Sequence, residues 1–456
     1  MFKEDLFSKS ARKNLETDLS TAHAIVEATN NVYHKIDNPD GVLNLGVAVN
    51  KLQEDLVLQK DLDYGDPIGS SELRDNISKV INRHFNPYKD ISLDDIVVVN
   101  GITSGLDKIA SVLCDPGDAI LIPTPCYSSF ELDFYLQAKA NVQFVPIPLH
   151  DFNSANQVSY YEKKLKELTQ LNIKVKLIVI CNPNNPLGVC YPKPALQEIL
   201  KFADQNNIFV LFDEIYALSV YRNLPCSDPL LDYSQNNDLV SDVLVPFESV
   251  LSWCDLDSFI DPNLVIVAHG LSKDFCLNGF RVGWIICPWN KSFLTSISTI
   301  GEFSYIAGIA DSIVCKFLAD STFLDSFITT MQTNLLTSFE KTTSYLTSKN
   351  VPFVPGMAGS FLWINIKHQL LIWKNNNLNP NESPVLDTNQ LTFDDELAMW
   401  SDILQNGRIY ITSGASFHSM EPGWARIIFA IPWETLKVGL DRLFDFMAKS
   451  HSSKSL

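Results

Sequence analysis

A lysine between an apolar run and a glycine turn is the first candidate for chemistry in this chain. Lys273 follows the apolar run 264–268, and the turn at Asn278-Gly279 leads on to Arg281. A lysine forms a Schiff base with a carbonyl when desolvation or a neighbouring cation lowers the pKa of its amine. The guanidinium of Arg281 would supply that cation and would also bind a phosphate. The segment therefore predicts a nucleophilic lysine beside a phosphate-binding arginine.

A second candidate is the carboxylate that ends an apolar strand. Asp213 follows four apolar residues, Phe209-Val-Leu-Phe212, and a buried carboxylate is costly unless a cation pairs with it. A protonated pyridine nitrogen is such a cation, and it is the electron sink that pyridoxal phosphate needs. Tyr216, three residues on, would then reach the phenolic oxygen of the cofactor. An Asp at a strand end also caps helices, and the residue alone leaves both interpretations open.

Further polar and aromatic residues follow other predicted strands. Thr103 and Ser104 open a helix, where unpaired amides make a phosphate cradle, although an ordinary N-cap has the same pattern. Tyr127 lies in a proline-stiffened loop and suits stacking on a flat heterocycle. Asn185 lies in a segment with two Asn-Pro pairs. Such a segment forms a rigid turn that could orient Asn185 as a hydrogen-bond donor, or it is only a turn. Arg426 begins a late strand, where a bidentate grip on a substrate carboxylate is expected.

Seven β-branched runs alternate with amphipathic segments, and this pattern predicts a doubly wound, mostly parallel sheet. The runs cover residues 96–99, 119–122, 142–146, 177–181, 208–212, 264–268 and 281–287. The carboxyl ends of parallel strands meet at one edge, where ligands bind. The link between the sixth and seventh runs is too short for a crossover, so the seventh strand should run antiparallel.

The chain ends are expected to form a second, smaller domain. Residues 76–324 would make the large domain, while 1–75 and 325–456 would pack together. The carboxyl-terminal part reads as a helix over 321–349, a strand over 359–366, and then a helix and a strand. The Asn- and Pro-rich stretch 374–384 predicts a surface loop, and 224–262 has the character of an insertion.

Composition narrows the class of partner. The net charge of −18 disfavours nucleic acid and anionic membranes, so a small molecule is the expected ligand. The nine cysteines lack the spacing of a metal site, and we expect no metal. A charged amino terminus and the lack of an apolar run long enough for a bilayer favour a cytoplasmic protein.

Taken together, these segments resemble the class I and II aminotransferases, which are fold type I pyridoxal-phosphate enzymes, and most of all their 1-aminocyclopropane-1-carboxylate (ACC) synthase-like branch. The resemblance implies an α/β fold, with a seven-stranded, mostly parallel sheet in the large domain and a smaller α+β domain from both chain ends. It also implies pyridoxal 5'-phosphate as cofactor. The likeness rests on residues 115–125 and on the motifs NPNNPLG, DEIYA, LSKDFCLNGFRVG and SGASFHSMEPGWARIIFA.

The resemblance assigns a role to each candidate residue. Lys273 would form the internal aldimine and then transfer the proton once substrate displaces it, and Arg426 would bind the substrate α-carboxylate. The remaining residues would hold the cofactor: Asp213 at the pyridine nitrogen, Tyr216 and Asn185 at the phenolic oxygen, Tyr127 against the ring, Thr103, Ser104, Ser272 and Arg281 at the phosphate, and Tyr64, in a homodimer, at the phosphate of the other subunit.

Two positions depart from the family pattern, and the first of them puts ACC synthase activity in doubt. Val49 stands where those enzymes carry glutamate, and Gly270 replaces a phosphate-binding serine. We therefore predict a homodimeric aminotransferase that exchanges the amino group of an L-amino acid with a 2-oxo acid. The alternatives are ACC synthase-type elimination on S-adenosylmethionine or a related β-elimination, and a non-catalytic binding or scaffold protein. The last of these is disfavoured because the chain keeps Lys273, Asp213, Arg281 and Arg426.

Overall fold

The computed structural model describes residues 6–15, 36–39, 64–222, 244–378 and 383–448. The strands in this part of the chain are β1 Ile96–Val99, β2 Ala119–Thr124, β3 Asn141–Pro146, β4 Val175–Cys181, β5 Phe209–Asp213, β6 Val265–Gly270, β7 Gly283–Ile286, β8 Phe361–Asn365, β9 Thr412–Ser413 and β10 Trp424–Ile428. The helices are α1 Lys9–Leu15, α2 Ser71–His84, α3 Gly101–Leu113, α4 Phe130–Tyr135, α5 Val158–Gln170, α6 Lys193–Gln205, α7 Leu271–Asp274, α8 Lys291–Gly301, α9 Gly308–Ala319, α10 Ser321–Ser348, α11 Lys367–Asn376, α12 Phe393–Gln405 and α13 Trp433–Ala448.

The first seven strands form one sheet in the order β1-β7-β6-β5-β4-β2-β3. Strands β2 to β6 pair in parallel with their neighbours, whereas β7 is antiparallel to both β1 and β6. Every residue of β4 except Lys176, and every residue of β5 and β6, is buried, as expected for a sheet with helices on both faces. The predicted strands and the reversed direction of the seventh are therefore confirmed.

A second, three-stranded sheet has the order β8-β10-β9. Its strands are antiparallel, and Arg426 on β10 lies opposite Trp363 on β8. The predicted helix over 321–349 and strand over 359–366 correspond to α10 and β8. Several aromatic residues of this region, among them Trp363 and Phe417, pack into the same hydrophobic cluster as the large sheet. The hydrogen bond from Arg426 on β10 to Asn185, which follows β4, places β10 beside the carboxyl edge of the large sheet. The division into domains at residues 75 and 325 stays a prediction.

The prediction of a surface loop over 374–384 is wrong at its start, because α11 runs on through Asn376. The side chain of Lys374 donates a hydrogen bond to Asp395. The Asn375 side chain donates to the carbonyl of Val385 and accepts from its amide. These tertiary contacts outweigh the low helix propensity of asparagine. No helix in the described ranges is long and apolar enough to span a bilayer.

Candidate active site

A cavity of about 300 Å³ opens where β4 and β5 end, with Cys181 and Asp213 in its wall. It brings together residues from five segments that are far apart in the sequence. Among its lining residues are the predicted Thr103, Tyr127, Asn185, Asp213, Tyr216, Ser272, Lys273 and Arg281. The side chains that were predicted from their positions after the strands thus lie together at the carboxyl edge of the sheet.

Lys273 lies in the four-residue helix α7, directly after β6. Its side chain is exposed to the cavity, but nearby protein atoms crowd the amine, and this desolvation is the main reason that its pKa is lowered. The positive charge of Arg426 lowers the pKa further, Asp213 opposes the shift, and Arg281 adds to it. A lowered pKa gives more of the neutral, nucleophilic amine near neutral pH.

Asp213 is buried at the end of β5 and has little local compensation for its charge. One carboxylate oxygen accepts a hydrogen bond of 3.3 Å from the amide of Ile215. Burial raises the pKa of Asp213 to about 7, while Lys273 and that amide lower it. Residues 215–218 form a turn instead of a helix, so the interpretation of Asp213 as a helix cap is wrong. A cation placed at this carboxylate would stabilise its ionised form.

The part of the cavity lined by α3 and Arg281 has the features of a phosphate cradle. Helix α3 begins at Gly101 after Asn100, whose side chain makes no capping bond, so Thr103 lies in the first turn and does not cap it. Arg281 has left-handed backbone angles (φ 55°) and donates 3.0 Å to the carbonyl of Asn278. A Cβ on Gly101 would collide with the Arg281 guanidinium. The guanidinium therefore lies across the amino terminus of the helix, where two sources of positive charge meet.

The serine that the family resemblance leads one to expect at position 270 has no room in this fold. Gly270 lies opposite Gly283 in the β6–β7 ladder, and a Cβ there would be 2.8 Å from the Gly283 Cα and 3.0 Å from the Val282 carbonyl oxygen. Real Cβ atoms do not approach backbone so closely. The close pairing of the two strands therefore requires glycine at this position.

Arg426 reaches the cavity residues from β10. Its Nη1 donates 2.9 Å to Oδ1 of Asn185, and its guanidinium carbon lies 4.7 Å from the Phe417 ring centre and 5.3 Å from that of Phe361. Its Nε is buried and has no hydrogen-bond partner in the described part of the chain. Burial lowers the pKa of the guanidinium. An anion bound at the free edge would satisfy Nε and offset the desolvation cost.

Two predicted cofactor contacts lie outside the cavity lining. The Ser104 hydroxyl is 3.3 Å from that of Ser304, and Tyr64 is 66% exposed. Their roles stay predictions, as do those of the lining residues. Val49 lies outside the described residues.

Sequence reasoning missed three features around the cavity. Asp133 on α4 lines it, and burial raises the pKa of that carboxyl to about 6. Glu214 is fully buried and accepts bonds from the Ser249 hydroxyl (2.7 Å) and the Val250 amide (3.1 Å), which ties residues 244–262 to the end of β5; the first part of the predicted insertion lies outside the described residues. The hydrogen bond between Asn185 and Arg426 is the third, and no sequence signal indicates it.

The chain belongs to the class I and II aminotransferase family, whose model matches residues 37–443. This confirms the resemblance. The cofactor of this family is pyridoxal 5'-phosphate, and the seven-stranded sheet with its helices is the fold type I architecture.

Two kinds of relatives are similar over most of the chain. A probable inactive ACC synthase-like protein 2 from Mus musculus is 31% identical over 91% of this chain and 68% of its own length. ACC synthase 8 of Arabidopsis thaliana is 30% identical over 97% of this chain and 91% of its own. An aspartate aminotransferase structure from Thermotoga maritima superposes with a TM-score of 0.63 at 22% identity, covering 97% of this chain and all of the other. That structure supports the fold alone.

Proposed function

We propose that this protein is a pyridoxal-phosphate-dependent aminotransferase that exchanges the amino group of an L-amino acid with a 2-oxo acid. The observation that supports this most is the meeting of Lys273, Asp213 and Arg281 in one cavity, with Arg426 reaching its wall through Asn185. When bound, the cofactor supplies an electron sink that stabilises negative charge at the substrate α-carbon.

The cavity fits the cofactor at both ends. The buried carboxylate of Asp213 suits a protonated pyridine nitrogen, since that cation would offset the burial that raises its pKa to about 7. The Arg281 guanidinium and the start of α3 suit a phosphate. Tyr127 also lines the cavity, and we propose that it packs against the pyridine ring.

The chain's own residues then have separable tasks. Lys273 holds the cofactor covalently and afterwards moves a proton at the substrate α-carbon through its Nζ. Tyr216 and Asn185 bond the phenolic oxygen, and Thr103, Ser104, Ser272 and Arg281 bind the phosphate. Arg426 binds the substrate carboxylate with its free edge, because its other edge is already engaged by Asn185. The lowered pKa of Lys273 suits a group that takes and returns a proton near neutral pH.

We also propose a cytoplasmic homodimer in which Tyr64 of one subunit reaches the phosphate of the other, with no nucleic acid or membrane partner. The 66% exposure of Tyr64 leaves its ring available to a second subunit. The net charge of −18 opposes polyanion binding. Residues 1–75 and 325–456 remain our proposal for the smaller domain.

The experiment that tests the reaction uses purified protein loaded with pyridoxal phosphate. It is mixed separately with a pool of L-amino acids and with S-adenosylmethionine, and the products are identified by mass spectrometry. We expect pyridoxamine phosphate and 2-oxo acids from the amino acids. Formation of ACC and methylthioadenosine from S-adenosylmethionine would favour elimination instead. Cofactor binding without turnover of either would favour the non-catalytic alternative.

A further inference from the structure

A buried histidine and aspartate flank the lysine segment and are bonded to each other. His269, near the end of β6, and Asp274, directly after Lys273, are both fully buried. The distance from Nε2 of His269 to Oδ2 of Asp274 is 2.9 Å. The two side chains thus bridge the base of the short segment that carries Lys273.

Asp274 also joins this segment to the turn that follows β5. Its Oδ2 accepts 2.8 Å from the amide of Leu218, and its Oδ1 accepts from the Ser219 hydroxyl. Three donors therefore hold one buried carboxylate, and hydrogen bonds to a charged acceptor are the stronger kind. Because Asp213 and Tyr216 lie just upstream in the same segment, the carboxylate connects the two halves of the cavity.

The ring of His269 is fixed by aromatic neighbours. Its centre lies 5.0 Å from that of Phe85 and 5.2 Å from that of Trp284. Its Nδ1 is buried without a hydrogen-bond partner in the described ranges, and such a nitrogen costs stability. A hydrocarbon side chain would fill this space without that cost. Packing alone therefore does not account for a histidine here, whereas the bond to Asp274 does.

We infer that His269 and Asp274 are positioning residues for Lys273, with His269 acting through Asp274 to fix the lysine turn relative to the segment carrying Asp213 and Tyr216. The inference rests on the proposed function, because the role concerns where the Lys273 amine meets the cofactor. Neither residue lines the cavity, so neither touches the reacting atoms.

The test compares His269→Phe, which keeps a ring and removes the donor, with His269→Gln, whose amide restores a donor near the Nε2 position. His84→Phe is the matched control, since His84 also lies beside an aspartate, with Nε2 3.5 Å from Oδ1 of Asp325, and is not a cavity residue. For each variant we would measure the rate of the spectral change when pyridoxal phosphate is added to cofactor-free protein, kcat and KM, and the unfolding temperature. We expect His269→Phe to lower the attachment rate and kcat about tenfold with KM nearly unchanged. The Gln variant and the control should stay within about threefold of wild type.

A purely structural role predicts a different pattern. If His269→Phe lowers only the unfolding temperature and keeps the wild-type attachment rate and kcat, the inference is overturned. Should that variant fail to fold, Ser219→Ala decides in its place, because it removes another donor to Asp274, and an unchanged attachment rate would then refute the inference. If wild-type protein does not attach the cofactor, the proposed function is refuted, and so is the inference that rests on it.

Discussion

Substitutions of Arg426 can separate the contribution of its positive charge from that of its planar guanidinium. Its Nη1 is held by Asn185 at 2.9 Å, and the rings of Phe417 and Phe361 lie against its guanidinium. The orientation is thus fixed before substrate binds. Arg426→Lys keeps the positive charge but removes the planar fork, whereas Arg426→Met removes both.

The expected losses follow from the hydrogen bonds involved. A hydrogen bond to a charged group contributes about 2 kcal/mol, so loss of the fork in Arg426→Lys should lower kcat/KM roughly 30-fold. Loss of both bonds in Arg426→Met removes about 4 kcal/mol, or roughly a thousandfold. Arg426→Met should also raise the pKa of Lys273, because the Arg426 charge is one of the groups that lower it. Arg426→Lys should leave that pKa nearly unchanged.

The assay is the single-turnover reaction of cofactor-loaded protein with an L-amino acid, followed by stopped-flow absorbance. The pKa of the Lys273 amine is read separately, from the pH dependence of the rate at which cofactor-free protein attaches pyridoxal phosphate. Arg408→Lys is the matched control, because Arg408 is not among the residues that line the cavity. A kcat/KM for Arg426→Lys within threefold of wild type would refute the assignment of the substrate carboxylate to this guanidinium.

Three further outcomes are expected. Asp213→Asn should lower kcat by roughly a hundredfold or more, measured in the same assay, and an unchanged kcat would remove Asp213 from the chemistry. Gly270→Ser should lower the free energy of unfolding by about 1–3 kcal/mol, because a Cβ would be 2.8 Å from the Gly283 Cα. It should not tighten cofactor binding. Denaturant titration and a cofactor-binding titration measure the two quantities, and a variant as stable as wild type that binds the cofactor more tightly would contradict the prediction. Burial raises the pKa of Glu214 from 4.5 to about 8, so its protonated form stabilises the fold below pH 4.5 and that stabilisation is lost as pH rises toward 8. The unfolding temperature of Glu214→Gln should therefore depend less on pH across this window than that of wild type. Glu198→Gln, at a half-buried glutamate on α6, is the control, and equal pH dependence of Glu214→Gln and wild type would contradict the reasoning.

The sequence predicted the strands and most of the cavity because both depend on local pattern. Apolar runs mark the buried strands, and the residues after them reach the same edge, which is why Asp213 and Lys273 were found. The contacts within the cavity depend on tertiary packing instead. Nothing in the spacing of Asn185 and Arg426, which are far apart in the chain, indicates that their side chains meet at 2.9 Å.

The burial of charged side chains could not be predicted from the sequence either. Asp274 directly follows Lys273, and nothing in its sequence neighbourhood indicates that it is fully buried with three hydrogen-bond donors. The requirement for glycine at position 270 arises from the approach of β7, which a motif comparison records only as a missing serine. Such features are set by which elements pack together, and a one-dimensional pattern does not contain that information.

The most direct test of the central claim is whether Lys273 carries the cofactor. Wild-type protein, Lys273→Ala and the control Lys316→Ala would each be incubated with pyridoxal phosphate, reduced with borohydride, and digested for peptide mass spectrometry. The account predicts a phosphopyridoxyl mass on the peptide containing Lys273 in wild type and control, with none in Lys273→Ala. Labelling at another lysine, or equal cofactor absorbance in Lys273→Ala, would contradict it.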